Sequence, residues 1–290
     1  SMVFSSGLAK SLGLFVMNEM QVGPFWMPAV IGGLALPVLA FTGYMLKRLP
    51  QPTAEDIALR NERVVLDGKG RVALFRKYAP ILSLLFACNF MLLVLRDIKE
   101  DFLVNILDMS NQSSWLFARI DTIVTLVILG IFALFIFCRS NIKALLSLMV
   151  LVITGCLTMT YVSFQYEAFV SRPITWLFIQ SLSLYIAYLT FQTIFFDRFI
   201  ACFRIKGNVG FFIALIDFIG YLGTVSLLSV KELLDIDLEW FVWFNHIACF
   251  VGGICSILFV IAGVLIYRKY MQSRKTERVN YYMNFQYNAI

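Results

Sequence analysis

Between Arg96 and Asp101, five ionisable side chains (Arg96, Asp97, Lys99, Glu100 and Asp101) interrupt a run that is otherwise apolar from Tyr78 to about Leu107. A charge inside such a run costs about 2.5–3.5 kcal/mol on insertion scales, so it faces a cavity or a partner rather than hydrocarbon. Helical spacing places Arg96 four residues before Glu100 and Asp97 four before Asp101. One face then pairs internally while another gathers acid. Arg119 and Asp121 enter the next apolar run from the same side. Two readings stand. In the first, Arg96 is a cavity charge whose planar fork binds a carboxylate or phosphate, with Asp97 or Asp121 orienting it and Arg119 beside them. In the second, these residues form an ion-pair cluster at the outer helix ends, and their long side chains snorkel to water.

Asp217 lies eight residues into another apolar run, with Gly210, Gly220 and Gly223 nearby. A carboxylate drawn out of water is a natural proton carrier. The alternative is an ion pair with Arg204 or Lys206 at the membrane edge. The glycines read as sites of close helix packing. Gln180, Tyr185, Tyr188 and Gln192 form a polar stripe, the last three spaced three and four residues apart. They line a cavity or act as hydrogen-bonding glue between helices. Asp197, Arg198 and Arg204, with Lys206, read as a loop cluster that gates or braces the inner side. Asn245 and His246 lie near the outer end of the last run and read as packing residues.

Metal and cofactor chemistry find no seat here. Six cysteines are scattered without a CxxC pair and His246 is the only histidine, which excludes an ordinary zinc site or His-based triad. No HExxH, GxSxG or Walker-type GKS or GKT occurs. The chain is read as no enzyme, with no metal, no cofactor and no nucleic-acid partner.

The elements that carry these residues follow from composition. The chain is 60% hydrophobic and 14% charged, with mean hydropathy +0.81. A water-soluble domain carries roughly 25% charge, so this one belongs in lipid. A bilayer core about 30 Å thick takes about 20 apolar residues as helix. Seven runs qualify: Pro24 to Leu46, Tyr78 to about Leu107, Trp115 to Cys138, Ile142 to about Phe164, Pro173 to Phe196, Val209 to Val230, and Trp240 to Tyr267. Val3 to Val22 is a weaker eighth. The runs are continuous rather than alternating, which selects helices over barrel strands.

The segments between runs alternate in charge. Lys47 to Lys77, Arg139 to Lys143, Arg198 to Lys206 and the tail from Arg268 are basic, whereas Lys231 to Glu239 is acidic. The positive-inside rule places the basic segments, including the C-terminus, in the cytoplasm. Trp26, Trp115, Trp176, Trp240 and Trp243 read as an aromatic belt at the outer interface.

A long basic segment followed by six spans and a basic tail resembles the second half of a major facilitator superfamily transporter. The stretches PQPTAEDIALRNERV (50–64), VLRDIKEDF (94–102), FFDRFIACFRIKG (195–207) and DFIGYLGT (217–224) are similar to a family of bacterial, Bacteroidetes-type transporter-like membrane proteins with no assigned function. The resemblance implies an all-α major-facilitator-like bundle. Residues 1–46 would be the last two helices of an N-terminal half truncated at Ser1, 47–77 a cytoplasmic linker, 78–267 a six-helix bundle, and 268–290 a cytoplasmic tail. It also implies the bacterial inner membrane as location.

The expected function is secondary active transport of a small polar, anionic solute by alternating access, coupled to a proton or another ion. The rival is a non-transporting sensor or assembly protein on the same scaffold, with the linker and the tail from Asn280 to Ile290 docking a partner.

Overall fold

In hydrocarbon the backbone has no partner but itself, so long apolar runs close their own hydrogen bonds as helices. The computed structural model describes residues 2–48, 68–106, 115–203, 205, 209–234 and 239–287, and every regular element among them is helical. The expected linker residues 49–67, and Arg204, Lys206 and Asp235 to Leu238, lie outside the described residues, as do the last three residues of the tail.

In chain order the helices are α1 (Met2–Asn18), α2 (Met27–Lys47), α3 (Gly68–Ile106), α4 (Leu116–Leu134), α5 (Asn141–Phe164), the short α6 (Tyr166–Phe169), α7 (Pro173–Thr190), α8 (Phe196–Phe203), α9 (Val209–Leu234) and α10 (Trp240–Tyr287). A 3-10 turn at Phe135–Phe137 follows α4, and a π turn at Phe191–Phe195 joins α7 to α8. Among the described residues six stretches are long and apolar enough to cross a membrane: Met27–Lys47, Val72–Leu103, Leu116–Phe137, Asn141–Phe164, Pro173–Phe203 and Trp240–Arg274. The chain is therefore a multi-pass membrane protein. The expected run at Val209 to Val230 is covered by α9, whose described apolar part is the shorter Ala214–Ser226.

Helix ends depart from the sequence reading. Gly68 to Lys77, assigned to the linker by charge, already belong to α3. The tail from Arg268 is helical to Tyr287. Asp197 and Arg198, expected on a loop, sit in α8. A helix leaving the bilayer turns polar where it meets water, so charge marks the membrane edge and not the helix end.

The chain divides into two compact units. One comprises Ser1–Arg63 and Met109–Leu129, the other Val64–Asp108 and Gly130–Ile290. In the first unit α1 packs on α4: the Ala118 amide donates to Ser11 Oγ at 3.0 Å and Phe15 lies 5.7 Å from Trp115, ring to ring. Gly7 is required here, because a Cβ would collide with the buried Asp121. Arg119 is exposed beside Leu8, Trp115 and Ile123. On α2 no residue is buried, and Leu34, Leu36, Leu39 and Phe41 are all at least 60% exposed. That surface is stable against lipid tails and not against water.

In the second unit α10 packs along α3 and α5, α7 along α5, and α9 along α3. The core is filled by Leu82, Leu85, Leu92, Leu148, Phe195, Phe199, Phe244 and Phe259. Trp176, expected in the interfacial belt, is fully buried instead, its Nε1 donating to Asn245 Oδ1 at 2.9 Å. His246 is exposed and meets the Tyr166 ring edge-on at 5.8 Å. Many hydroxyls satisfy themselves on the preceding turn, as Thr154 does on the Val150 carbonyl and Thr158 on that of Thr154, both at 2.9 Å. Such back-bonding lets a polar residue stand on an exposed apolar face.

Close approach of α9 to α3 depends on the expected glycines. A Cβ on Gly220 would come within 2.8 Å of Leu93 Cδ1, and one on Gly223 would overlap the Phe90 ring. Gly223→Val is expected to lower stability by about 1–3 kcal/mol through overpacking. The check is a reduced thermal midpoint in detergent, with Val225→Ile, on the exposed side of the same helix, as the control.

The π turn also has a packing reason. In an unbroken α-helix Phe196 would point about 140° away from Phe191. The wider turn brings both onto the buried side, with ring centroids 6.3 Å apart.

Candidate functional site

The charges of α3 are placed well inside the helix. Arg96 lies seven residues before the end of the span Val72–Leu103, about 10 Å from it at helical rise. Its side chain is 12% exposed and that of Asp97 9%. Arg96 Nε donates to Asp97 Oδ1 at 2.8 Å, and Nη2 donates to the same oxygen. Nη1 donates to Tyr188 Oη at 3.0 Å, with the guanidinium carbon 4.9 Å from that ring. Asp97 Oδ2 accepts from Thr224 Oγ1 at 2.7 Å. One ion pair thus joins α3, α7 and α9. An exposed cluster at the helix ends does not describe it.

A second pair lies on the next turn of α3. Lys99 is fully buried, its Nζ 2.8 Å from Glu100 Oε1 and 4.7 Å from the centre of the Tyr185 ring. Tyr185 Oη donates to the same Glu100 oxygen. Burial of an ammonium group costs several kcal/mol unless it is paired and hydrogen-bonded, and here it has both a carboxylate and an aromatic face. The pairs run between adjacent residues, Arg96 with Asp97 and Lys99 with Glu100. The i to i+4 pairing of Arg96 with Glu100 expected from spacing is not what forms. From α7, Tyr188 engages Arg96 of the first pair and Tyr185 engages both Lys99 and Glu100 of the second.

Further along α7, Gln192 sits in the π turn and its Nε2 donates to Asp217 Oδ1 at 2.5 Å. Asp217 is half-buried, and among the described residues no cation pairs with it. π turns recur where a side chain must be aimed at a site. Tyr185, Tyr188 and Gln192 therefore mark a polar column about 10 Å long on one face of α7, opposed by α3 at one end and α9 at the other.

The remaining expected residues divide. Gln180 is turned towards α5, its Nε2 donating to Ser163 Oγ at 3.0 Å, a bond between helices, while its Oε1 is buried with no hydrogen-bond partner among the described residues. Arg198 donates to Asn141 Oδ1 at 3.0 Å and to the Phe135 carbonyl at 3.2 Å, clasping the turn between α4 and α5. Asp197 is exposed. Arg119 and Asp121 belong to the other unit. Arg204, proposed as a partner of Asp217, lies outside the described residues.

The sequence reading named Lys99 and Glu100 only as members of the charged cluster, and it did not select Thr224 or Asn89. Thr224 stands seven residues after Asp217, and Asn89 seven before Arg96, so heptad spacing from each chosen residue points to them. Asn89 is fully buried, and among the described residues neither of its amide atoms has a hydrogen-bond partner.

Among the described residues no group of three His, Cys, Asp or Glu is placed to hold a metal. The column is instead a set of hydrogen-bond donors and acceptors around one guanidinium, one ammonium and three carboxylates. Such a set offers ion pairs and hydrogen bonds to a polar or charged group.

No curated protein and no solved structure matches the chain. The profile described as "Family of unknown function (DUF5690)" matches residues 1–269, and the chain belongs to that family.

Proposed function

We propose that the protein is a secondary active transporter for a small polar, anionic solute, working by alternating access and coupled to a proton or another ion. The observation that carries this reading is the Arg96–Asp97 pair, which lies inside the candidate span Val72–Leu103 and is held from α7 by Tyr188 and from α9 by Thr224. Ionisable groups at such positions mark solute and proton pathways, because their cost is otherwise hard to recover. Asp97 acts as a stand-in for the cargo: the solute's anionic group takes the Arg96 fork and releases Asp97 to Thr224. Asp217, with Gln192, takes the coupling proton. The plan is that of a major facilitator bundle in the bacterial inner membrane, with the basic turns and the C-terminus in the cytoplasm. Purified protein in proteoliposomes is expected to accumulate a labelled organic or inorganic anion when a pH gradient is imposed. Neither binding nor flux across a panel of such anions would end the proposal.

One feature favours a second reading, a non-transporting sensor or assembly protein. The 48 residues of α10 give a helix about 72 Å long, against a bilayer core of about 30 Å. The helix continues beyond the span that ends at Arg274, and that extension would be available to a partner. A stable crosslinked partner, together with absence of flux, selects this reading.

A further inference from the structure

A cleft of about 300 Å³ opens between the start of α5, the end of α8 and the projecting part of α10, lined by Ser140, Asn141, Cys202, Tyr270, Ser273 and Arg274 among others. It lies apart from the polar column. Three candidate spans have their ends in its wall: Asn141–Phe164 begins there, and Pro173–Phe203 and Trp240–Arg274 finish there. The cleft is therefore at the depth where helices leave hydrocarbon, the level of lipid headgroups.

Its chemistry is that of an anion site. Arg274 is exposed, with Nε donating to Tyr270 Oη at 3.0 Å, which fixes the guanidinium against its own helix. Ser140, Ser273 and Tyr270 supply hydroxyls. Arg139 and Lys143 flank the segment that forms one wall, and Arg198 holds that wall through Asn141 and the Phe135 carbonyl. Asp197, one turn before the α8 wall, and Glu277, three residues after Arg274, are the acidic residues nearby in the sequence, and the cations Arg139, Lys143, Arg198 and Arg274 outnumber them. Guanidinium and hydroxyl groups around a concavity suit the oxygens of a phosphate group. Basic hollows between helices at headgroup depth are lipid sites by the same physics.

We infer that this cleft binds a phosphate group, carried by an anionic phospholipid of the surrounding leaflet. The seated headgroup bridges α5, α8 and α10 at their exit from the bilayer. Its acyl chains lie along the apolar helix surfaces below.

The test uses the purified full chain in a neutral detergent, titrated separately with phosphatidylglycerol, phosphatidylcholine and inorganic phosphate. Retention is read by native mass spectrometry and stabilisation by the thermal midpoint. Phosphatidylglycerol is expected to be retained in preference to phosphatidylcholine and to raise the midpoint. Arg274→Ala is expected to weaken retention roughly fivefold, as loss of one cation near the headgroups does, whereas Arg274→Lys keeps most of it. Ser273→Trp, which fills the cleft, is expected to abolish retention while the protein stays monodisperse with unchanged helicity. Equal retention of the two lipids, or an Arg274→Ala chain that binds like wild type, overturns the proposal. Protection by inorganic phosphate with the same dependence on Arg274, but none by phosphatidylglycerol, overturns the lipid as the source.

Discussion

Arg96→Ala is expected to reduce anion uptake in proteoliposomes by on the order of a hundredfold or more, as truncating one side of a desolvated charge pair does. The same change leaves Asp97 buried without its cation, and breaking such a pair costs about 3–5 kcal/mol of stability. Loss of uptake alone therefore does not separate recognition from folding. The double variant Arg96→Ala with Asp97→Asn removes the stranded charge while keeping an acceptor for Thr224 Oγ1. It is expected to regain most of the thermal midpoint and none of the uptake. Arg96→Lys keeps the charge without the planar fork, and its uptake is expected to fall between the two. Wild-type uptake by the double variant would remove Arg96 from the solute site.

Asp217→Asn is expected to separate coupling from movement. The substituted amide still presents an oxygen to Gln192 Nε2, which lies 2.5 Å from the carboxylate oxygen in the native protein. The helix contact survives, and the proton-carrying group does not. Accumulation driven by a pH gradient is expected to disappear, while exchange of labelled for unlabelled solute at equal concentrations continues. Unchanged gradient-driven accumulation would exclude Asp217 as the proton carrier. The two variants are complementary, since the first removes what holds the solute and the second what energises it.

Much of the architecture was legible because lipid imposes one simple condition, an apolar run long enough to span it. The runs from Ile142, Pro173 and Trp240 each reappear as a helix within a few residues of the expected start. The ends were less legible. A polar helical extension and a polar loop have the same composition, so Gly68 to Lys77 and the stretch after Arg268 read as loops although the backbone continues as helix. Within the site, Arg96, Asp97, Tyr188 and Asp217 announce themselves as polar groups where none is cheap. Their partners do not. The Tyr188 and Thr224 contacts to the Arg96–Asp97 pair cross from α7 and α9, and spacing along one helix gives the face a residue shares but not the partner it meets on another helix. Spacing within α3 instead favoured Arg96 with Glu100, the pairing an isolated helix would use. Trp176 shows the same limit: an indole near a span end is as ready to be buried against Asn245 as to sit at the interface.

The turn at Phe191–Phe195 ties together two places that are otherwise separate along the chain. Gln192 within it touches Asp217, and Arg198 just beyond it clasps the neck between α4 and α5. Rewinding that turn to ordinary α geometry would twist everything downstream by about 100° and pull Arg198 off both carbonyl oxygens it holds. The Asp217 contact and the Arg198 latch therefore share one five-residue joint, and neither can be re-aimed by rewinding it without disturbing the other.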